Sequence, residues 1–313
     1  MKILVIGGTG LVGSNLLPRL VERNDEVFTL TRNESRLEKI RELGCNDVIG
    51  DIRNPKTFIN DLPGNLDLIV LLAMPSVKPG RRVTSKRKIE LREETNDFFR
   101  NSMDLAIKYD IPIILPGGTS YKTEKNEIAD ENWPITRIGL TEIGIDTDEI
   151  VNNAIRSSYP RVIQLIYGKI YGNGGLFRFM FNMMEKGQTR IIGKGDNFIP
   201  NIHAVDASTA IIKSIDNLPI GEKIIIADDT PVTQKDFIIH MARIMNKQQP
   251  KTIPGFIIKL ALGNDFYEIL RMNCIVSNAK AKKLLGWIPQ YPSYLDGLPI
   301  TVKDMREREN YFA

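Results

Sequence analysis

The first thirteen residues constrain this chain more than any others. Ile3-Leu4-Val5-Ile6 is a short apolar run, and Gly7-Gly8-Thr9-Gly10-Leu11-Val12-Gly13 follows it with glycines spaced G-x-x-G-x-x-G. The run has the length and β-branching of a buried strand. Residues 14–23 read as an amphipathic helix. Gly7 can take a tight turn, Gly10 lets the backbone approach a pyrophosphate, and Gly13 lets the helix pack on the strand. The phosphates would lie on the helix N-terminus, where unpaired N–H groups and the helix dipole favour an anion. Thr9, Leu11 and Val12 complete the loop and are expected to line the same site. Glycine triplets also make ordinary turns. Here a strand precedes and a helix follows, which is the context a dinucleotide site requires.

A chain of 313 residues can form one large α/β domain or two coupled ones. An apolar fraction of 42% with 26% charged residues is that of a globular protein rather than a disordered one. The longest apolar run, residues 66–74, is interrupted by Asp67 and is too short to span a bilayer. The N-terminus enters a strand at once, without the pattern of a signal peptide, so the expected location is the cytoplasm. Two cysteines, Cys45 and Cys274, make no disulfide framework, and no Cys/His cluster points to a metal. A net charge of +4 is too mild to indicate a partner.

Strand-like and helix-like segments alternate through the first half. Strands are expected at 26–31, 47–49, 66–73 and 111–115, and helices at 34–43 and 90–109. The alternation argues for a doubly wound parallel sheet of the Rossmann type, which binds ligands at the carboxyl ends of its strands. Beyond residue 165 glycines, aromatics and prolines thicken. The expected layout is a nucleotide-binding domain over 1–165 with a return segment near 203–217. A smaller, interleaved α+β substrate domain would take 166–202 and 218–313.

These segments together resemble the extended and atypical short-chain dehydrogenase/reductase superfamily, of the nucleotide-sugar epimerase/dehydratase type. The resemblance covers nearly the whole chain. It rests on the glycine loop, Gly50-Asp51-Ile52-Arg53, Glu94-Thr95-Asn96 and Leu165-Ile166-Tyr167-Gly168-Lys169-Ile170-Tyr171-Gly172. It continues through Ile202-His203-Ala204-Val205-Asp206 and the C-terminal Leu284-Leu285-Gly286-Trp287-Ile288-Pro289. It implies a nicotinamide cofactor, hydride transfer on a sugar or secondary-alcohol carbon, and a homodimer. Asp51 would sit beside the adenine, and Ile52, Leu72 and Ala73 are assigned to the cofactor with it.

The acid that grips an NAD ribose belongs at the end of the second strand. That place holds Thr31-Arg32-Asn33. No carboxylate stands there, and a guanidinium suits the 2′-phosphate of NADP. NADP is therefore expected ahead of NAD. The alternative is that Arg32 is a solvated loop residue and Asp51 a helix cap.

The resemblance also implies a Tyr whose proton is tuned by a Lys four residues later, helped by a Ser or Thr. The expected helix begins near Arg137, and Thr141 and Ile145 occupy the two positions. The one Tyr-x-x-x-Lys, Tyr121 to Lys125, lies immediately after the fifth strand, too early for that helix. Thr119, Ser120 and Tyr121 leave a strand at its carboxyl end and are the catalytic candidates, although turn chemistry after Gly117-Gly118 accounts for the first two equally. Tyr167 and Tyr171 are alternative proton donors for which packing is the better reading. His203 and His240 read as structural. The basic stretch from Lys78 to Arg92 admits three readings: a solvated loop and helix start, recognition of a phosphorylated or nucleotide-linked substrate, or RNA. The functional alternatives are thus a hydride-transfer enzyme with a non-standard site and a silent NADP(H)-binding sensor or scaffold.

Overall fold

The N-terminal apolar run is a strand buried on both faces. In the computed structural model, which describes residues 1–307, Ile3, Leu4, Val5 and Ile6 are each at most 1% exposed. Side chains alternate across a strand, so Ile3 and Val5 join the core on one face while Leu4 and Ile6 join that on the other. The first half runs β1 (Lys2–Ile6), α1 (Gly13–Glu22), β2 (Glu26–Thr31), α2 (Leu37–Glu42), β3 (Asn46–Ile49), β4 (Leu68–Leu71), α3 (Ser85–Tyr109), β5 (Ile113–Gly118), α4 (Ile145–Ser157) and β6 (Val162–Tyr167). The second half runs β7 (Lys169–Tyr171), α5 (Gly175–Glu185), β8 (Ile191–Ile192), β9 (Phe198–Ile199), β10 (Asn201–His203), α6 (Ala204–Asn217) and β11 (Lys223–Ile226). It closes with β12 (Val232–Thr233), α7 (Gln234–Ile244), β13 (Thr252–Ile253), α8 (Gly255–Leu262), α9 (Asn264–Arg271), α10 (Ala279–Leu285) and α11 (Tyr294–Glu307).

Seven parallel strands form one sheet in the order β11-β6-β5-β4-β1-β2-β3. The order reverses between β1 and β4, and the crevice above such a switch point is where doubly wound sheets take their ligands. The sheet is therefore the Rossmann-type α/β architecture. A separate core of Phe177, Phe181, Met184, Phe237, Met241 and Leu298 organises the smaller part, with the short pairs β7–β10, β8–β13 and β9–β12 around it.

Three segments differ from the sequence reading. The helix expected over 34–43 divides into a 3-10 turn, Glu34–Arg36, and α2, because Asn33 caps the turn by accepting from the Ser35 N–H at 3.0 Å. Helix α3 starts at Ser85 instead of residue 90, with Thr84 as its cap accepting from the Arg87 N–H at 3.2 Å. The range 218–313 also does more than build a smaller domain. Strand β11 returns to the large sheet beside β6, and α10 covers it against α6. The cause is apolar: Ile224, Ile225 and Ile226 are fully buried there, and β6 would otherwise be a bare edge.

Helix α6 ties the two parts together. Asp206 accepts from the N–H groups of Gln290 at 2.6 Å and Tyr291 at 3.0 Å, and the Trp287 indole donates to Thr209 Oγ1 at 3.1 Å. Just past β11, Asp228 is buried, and its Oδ2 has no partner among the described residues. Burial pushes this carboxyl up to about 8, the Thr230 N–H opposes the shift, and Asp229 and Asp206 add to it. The folded chain thus holds a proton that the unfolded chain releases near pH ~4. The stabilisation is complete below that value and is lost as pH rises towards 8. Replacing Asp228 with Asn should flatten the fall in Tm between pH 5 and 8 and raise Tm above the parent at pH 8, as measured by calorimetric scans.

Candidate nucleotide cleft and reaction site

The glycine loop makes a cradle by excluding side chains. Gly7 has φ +92°, and a Cβ there would lie 2.5 Å from the Ala73 backbone nitrogen. A Cβ on Gly13 would lie 2.3 Å from the Gly8 carbonyl oxygen. The loop closes through Gly10 N–H donating to the Gly7 carbonyl at 3.0 Å, and α1 begins with Ser14 N–H on the Gly10 carbonyl at 2.9 Å. Val12, the cap residue of α1, supplies no side-chain cap. Among the described residues, the backbone N–H groups of Leu11, Val12 and Gly13 have no acceptor. Unpaired donors at the start of a ten-residue helix fit a pyrophosphate.

Beside this cradle lies a cavity of about 310 Å³, lined by Gly7, Thr9, Thr31, Arg32, Arg36 and Asp51 among others. Ile52 and Ala73 also line it. Leu11, Val12, Gly13 and Leu72 play other parts. Leu11 packs towards Gly172 and Gly175, Val12 and Leu72 belong to the core, and Gly13 is buried at the helix–loop contact. What Leu11, Val12 and Gly13 offer the cradle is their backbone N–H groups.

The charges at the cavity mouth are uneven. Arg53 bonds the Asp51 carboxylate, with Nη2 to Oδ2 at 2.5 Å, and holds it below the usual carboxylate range. Arg32 lies 3.7 Å from the same carboxylate and is largely exposed. Asp51 also accepts from the Arg53 N–H at 3.0 Å, so it shapes a turn and caps no α-helix. Arg36 donates to Thr9 Oγ1 at 2.8 Å, which bridges the 3-10 turn to the glycine loop. The sequence reading missed Arg36; its signal was an arginine one turn beyond Asn33, a residue type that caps helices.

The catalytic candidates separate. Thr119 is half-buried, donates its N–H to the Tyr167 carbonyl at 3.0 Å, and has a hydroxyl with no partner among the described residues. Ser120 is buried, and its hydroxyl accepts from Arg137 Nη1 at 3.0 Å. That guanidinium is itself gripped by Asp148 at 2.7 and 2.5 Å. Tyr121 is 2% exposed in an apolar cluster with Ala129, Ile166, Ile225, Ala227 and Cys274, and burial drives its phenol upward. Ser120 is thus engaged by Arg137, Tyr121 lies in an apolar cluster, and the Thr119 hydroxyl has no partner among the described residues. Burial likewise pushes up the phenols of Tyr167 and Tyr171, whose hydroxyls are buried without partners among the described residues.

Thr141 lies in a 3-10 turn, Gly139–Gly144, where its hydroxyl donates to the Ile138 carbonyl at 2.8 Å and accepts from the Ile138 N–H at 2.9 Å. Ile145 is the first residue of α4 and is 43% exposed. Neither can move a proton for a substrate. His203 caps α6, its Nδ1 accepting from the Val205 N–H at 3.2 Å while Nε2 meets Thr301 Oγ1 at 3.1 Å. Burial lowers its pKa to about 4, so it is a neutral, hydrogen-bonded histidine. His240 sits in α7 against Tyr294 with its ring nitrogen buried.

Three of the seven cations in the basic stretch are internal wiring. Lys88 bonds Glu142 at 2.8 Å and Asp265 at 2.9 Å, joining α3 to the 3-10 turn and α9. Arg87 pairs with Glu94 at 2.7 Å, and Arg92 pairs with Asp146, whose carboxyl is held down to about 2. No group of His, Cys, Asp and Glu among the described residues is arranged to hold a metal ion. No helix among them is long and apolar enough to cross a membrane.

Residues 3–94 match the NAD dependent epimerase/dehydratase family. Over that N-terminal segment the chain is similar to this family. It is 22% identical to a 3-diazoavenalumate denitrifying reductase of a Streptomyces species, over 95% of this chain and 99% of that one. Its fold matches the human epimerase family protein SDR39U1 solved with NADPH, at TM-score 0.79 and 18% identity, over 97% of this chain and 100% of that one. It also matches a dTDP-glucose 4,6-dehydratase of Bacillus anthracis solved with NAD, at TM-score 0.80 and 19% identity, over 99% and 98%. The matching family is described as NAD dependent, and the open N–H groups and close-packed glycines of this chain's loop fit such a dinucleotide. Replacing Gly7 with Val would drive a side chain into the Ala73 backbone, two residues past β4. Titration of the variant with NADPH and NADH should show no saturable binding of either, and its Tm should fall.

Proposed function

We propose that this chain is an NADP(H)-dependent reductase of a carbonyl carbon, on a sugar or other secondary-alcohol framework, with a rebuilt catalytic site. The observation that carries the cofactor choice is the charge at the mouth of the cavity. Arg32 and Arg36 flank it, and its one carboxylate, Asp51, is already engaged by Arg53. Two arginines facing one carboxylate that Arg53 already holds favour a 2′-phosphate, which guanidinium groups bind through paired N–H donors. The human relative solved with NADPH supports the same choice.

A bound nicotinamide supplies hydride. The residues of this chain would do the rest. The donors at the head of α1 hold the pyrophosphate, and the Thr119 hydroxyl polarises the substrate oxygen. A second reading, a protein that holds NADP(H) without turnover, draws on Thr141 and Ile145 at the positions of the tuned tyrosine and its lysine.

Calorimetric titration tests the cofactor claim. NADPH should bind at least about tenfold tighter than NADH, the scale of one charge-assisted pair. Changing Arg36 to Leu should lower NADPH affinity roughly tenfold and leave NADH affinity within about twofold, on the same scale. Equal affinities for the two nucleotides would overturn the choice. Loss of nicotinamide absorbance over a panel of sugar ketones and small carbonyl compounds separates a reductase from a silent binder.

A further inference from the structure

Helix α8 reads Gly255-Phe256-Ile257-Ile258-Lys259-Leu260-Ala261-Leu262, with Lys259 its one charged residue. Such a sequence belongs in a core, yet no residue of this helix is buried. Residues four apart share a helix face. Ile258 and Leu262 are half-buried on one face, and α9 packs against the helix. On the opposite face Phe256 and Leu260 are 69% and 79% exposed, with Ile257 beside them at 38%. A single apolar side chain in water needs no explanation, but a contiguous apolar face marks a contact. Cations border this one. Lys259 projects from its edge. Arg82 stands at one end, its Nε 3.3 Å from where a Cβ on Gly263 would lie. Arg271 stands at the other end, donating to Tyr267 Oη at 3.0 Å, and a Cβ on Gly255 would lie 2.5 Å from that tyrosine ring. All three cations are exposed, and none is in an ion pair with a described residue. By contrast Arg87, Lys88 and Arg92, from the same basic stretch as Arg82, are all paired. Of the carboxylates on α9, Asp265 is held by Lys88 and Glu268 is half-buried.

We propose that α8 is an interfacial anchor, which lays Phe256, Ile257 and Leu260 into the headgroup boundary of a bilayer that carries anionic lipid. Lys259, Arg82 and Arg271 then meet the lipid phosphates. Burial of the apolar side chains supplies adhesion, and the cations supply attraction to the negative surface. The net charge of the chain is mild, but its placement here is not: three unpaired cations frame one apolar face. A second copy of this chain fits that face less well. An isologous contact would set the same cations against their own copies, with no free carboxylate in the patch to meet them. The anchor also stands on the side of the sheet that carries the cleft. Arg82 lies in residues 72–84, which join the carboxyl end of β4 to α3, and Gly80 of that segment lies under the Phe179 ring of α5. The anchoring does not depend on which nucleotide the chain binds.

The test is co-flotation of the full chain with two kinds of vesicle, phosphatidylcholine alone and phosphatidylcholine mixed equally with phosphatidylglycerol. The chain should float with the anionic vesicles, much less with the neutral ones, and less with either as salt is raised. The double variant Phe256→Ser, Leu260→Ser should lower partition onto anionic vesicles at least about tenfold, the scale of one buried apolar side chain. The double variant Lys259→Gln, Arg82→Gln should lower it roughly tenfold at low salt and flatten the salt dependence. Ile288→Ser replaces a side chain 78% exposed on the α10–α11 connection and should leave partition unchanged. Because every replaced side chain is exposed, each variant should keep the Tm of the parent. No flotation of the parent with anionic vesicles overturns the anchor. Equal partition onto neutral and anionic vesicles, or an equal loss in Ile288→Ser, also overturns it. Dimers in analytical ultracentrifugation that Phe256→Ser, Leu260→Ser dissociates, without vesicle binding by the parent, would assign the face to a second copy instead.

Discussion

Two backbone approaches too close for any side chain hold this cleft in shape. Gly7 rests on Ala73, just past β4, and Gly13 rests on Gly8. The first lets the loop fold over the switch point of the sheet. The second brings the start of α1 down against the loop, so its unpaired N–H groups face the space where an anion fits. The rest of the site hangs from this frame. Arg36 is aimed by its bond to Thr9 within the loop, and Ala73 lines the cavity because the chain just past β4 lies against Gly7.

The cations of the chain divide into two kinds. Lys88, Arg87, Arg92 and Arg137 are bound by carboxylates and spend their charge on registering α3, α4, α9 and the strand-end loop. Several of these pairs are partly exposed and screened by solvent, so their value lies in position. Arg32 and Arg36 line the nucleotide cavity, Arg32 with a looser 3.7 Å contact to Asp51 and Arg36 with a bond to Thr9. Ionic contacts lock the frame elsewhere.

The fold was legible because it is written in local patterns. The glycine loop, the run at 66–73 and the strand at 111–115 all carry periodicity or turn chemistry within a few residues. Boundaries slipped where a cap decided them, at Asn33 and Thr84, since a hydrogen bond from one side chain to a nearby N–H can start a helix early or divide one. Strand β11 was hidden for a different reason. Its three isoleucines also suit the core of a smaller domain, and only the vacant edge of β6 places them in the large sheet.

The catalytic residues were the least legible. Thr119, Ser120 and Tyr121 are neighbours in sequence, yet one has a free hydroxyl, one is engaged by Arg137, and one is sealed in an apolar cluster. The sequence by itself determined the glycine cradle, the doubly wound sheet, the arginine where NAD would want an acid, and the empty tyrosine and lysine positions. These follow from residue type and spacing along the chain. Tertiary structure alone decided which charges are compensated and which hydroxyls are engaged. Burial and ion pairing are set by segments far apart in sequence, Cys274 against Tyr121 and Asp265 against Lys88, and no local pattern records them.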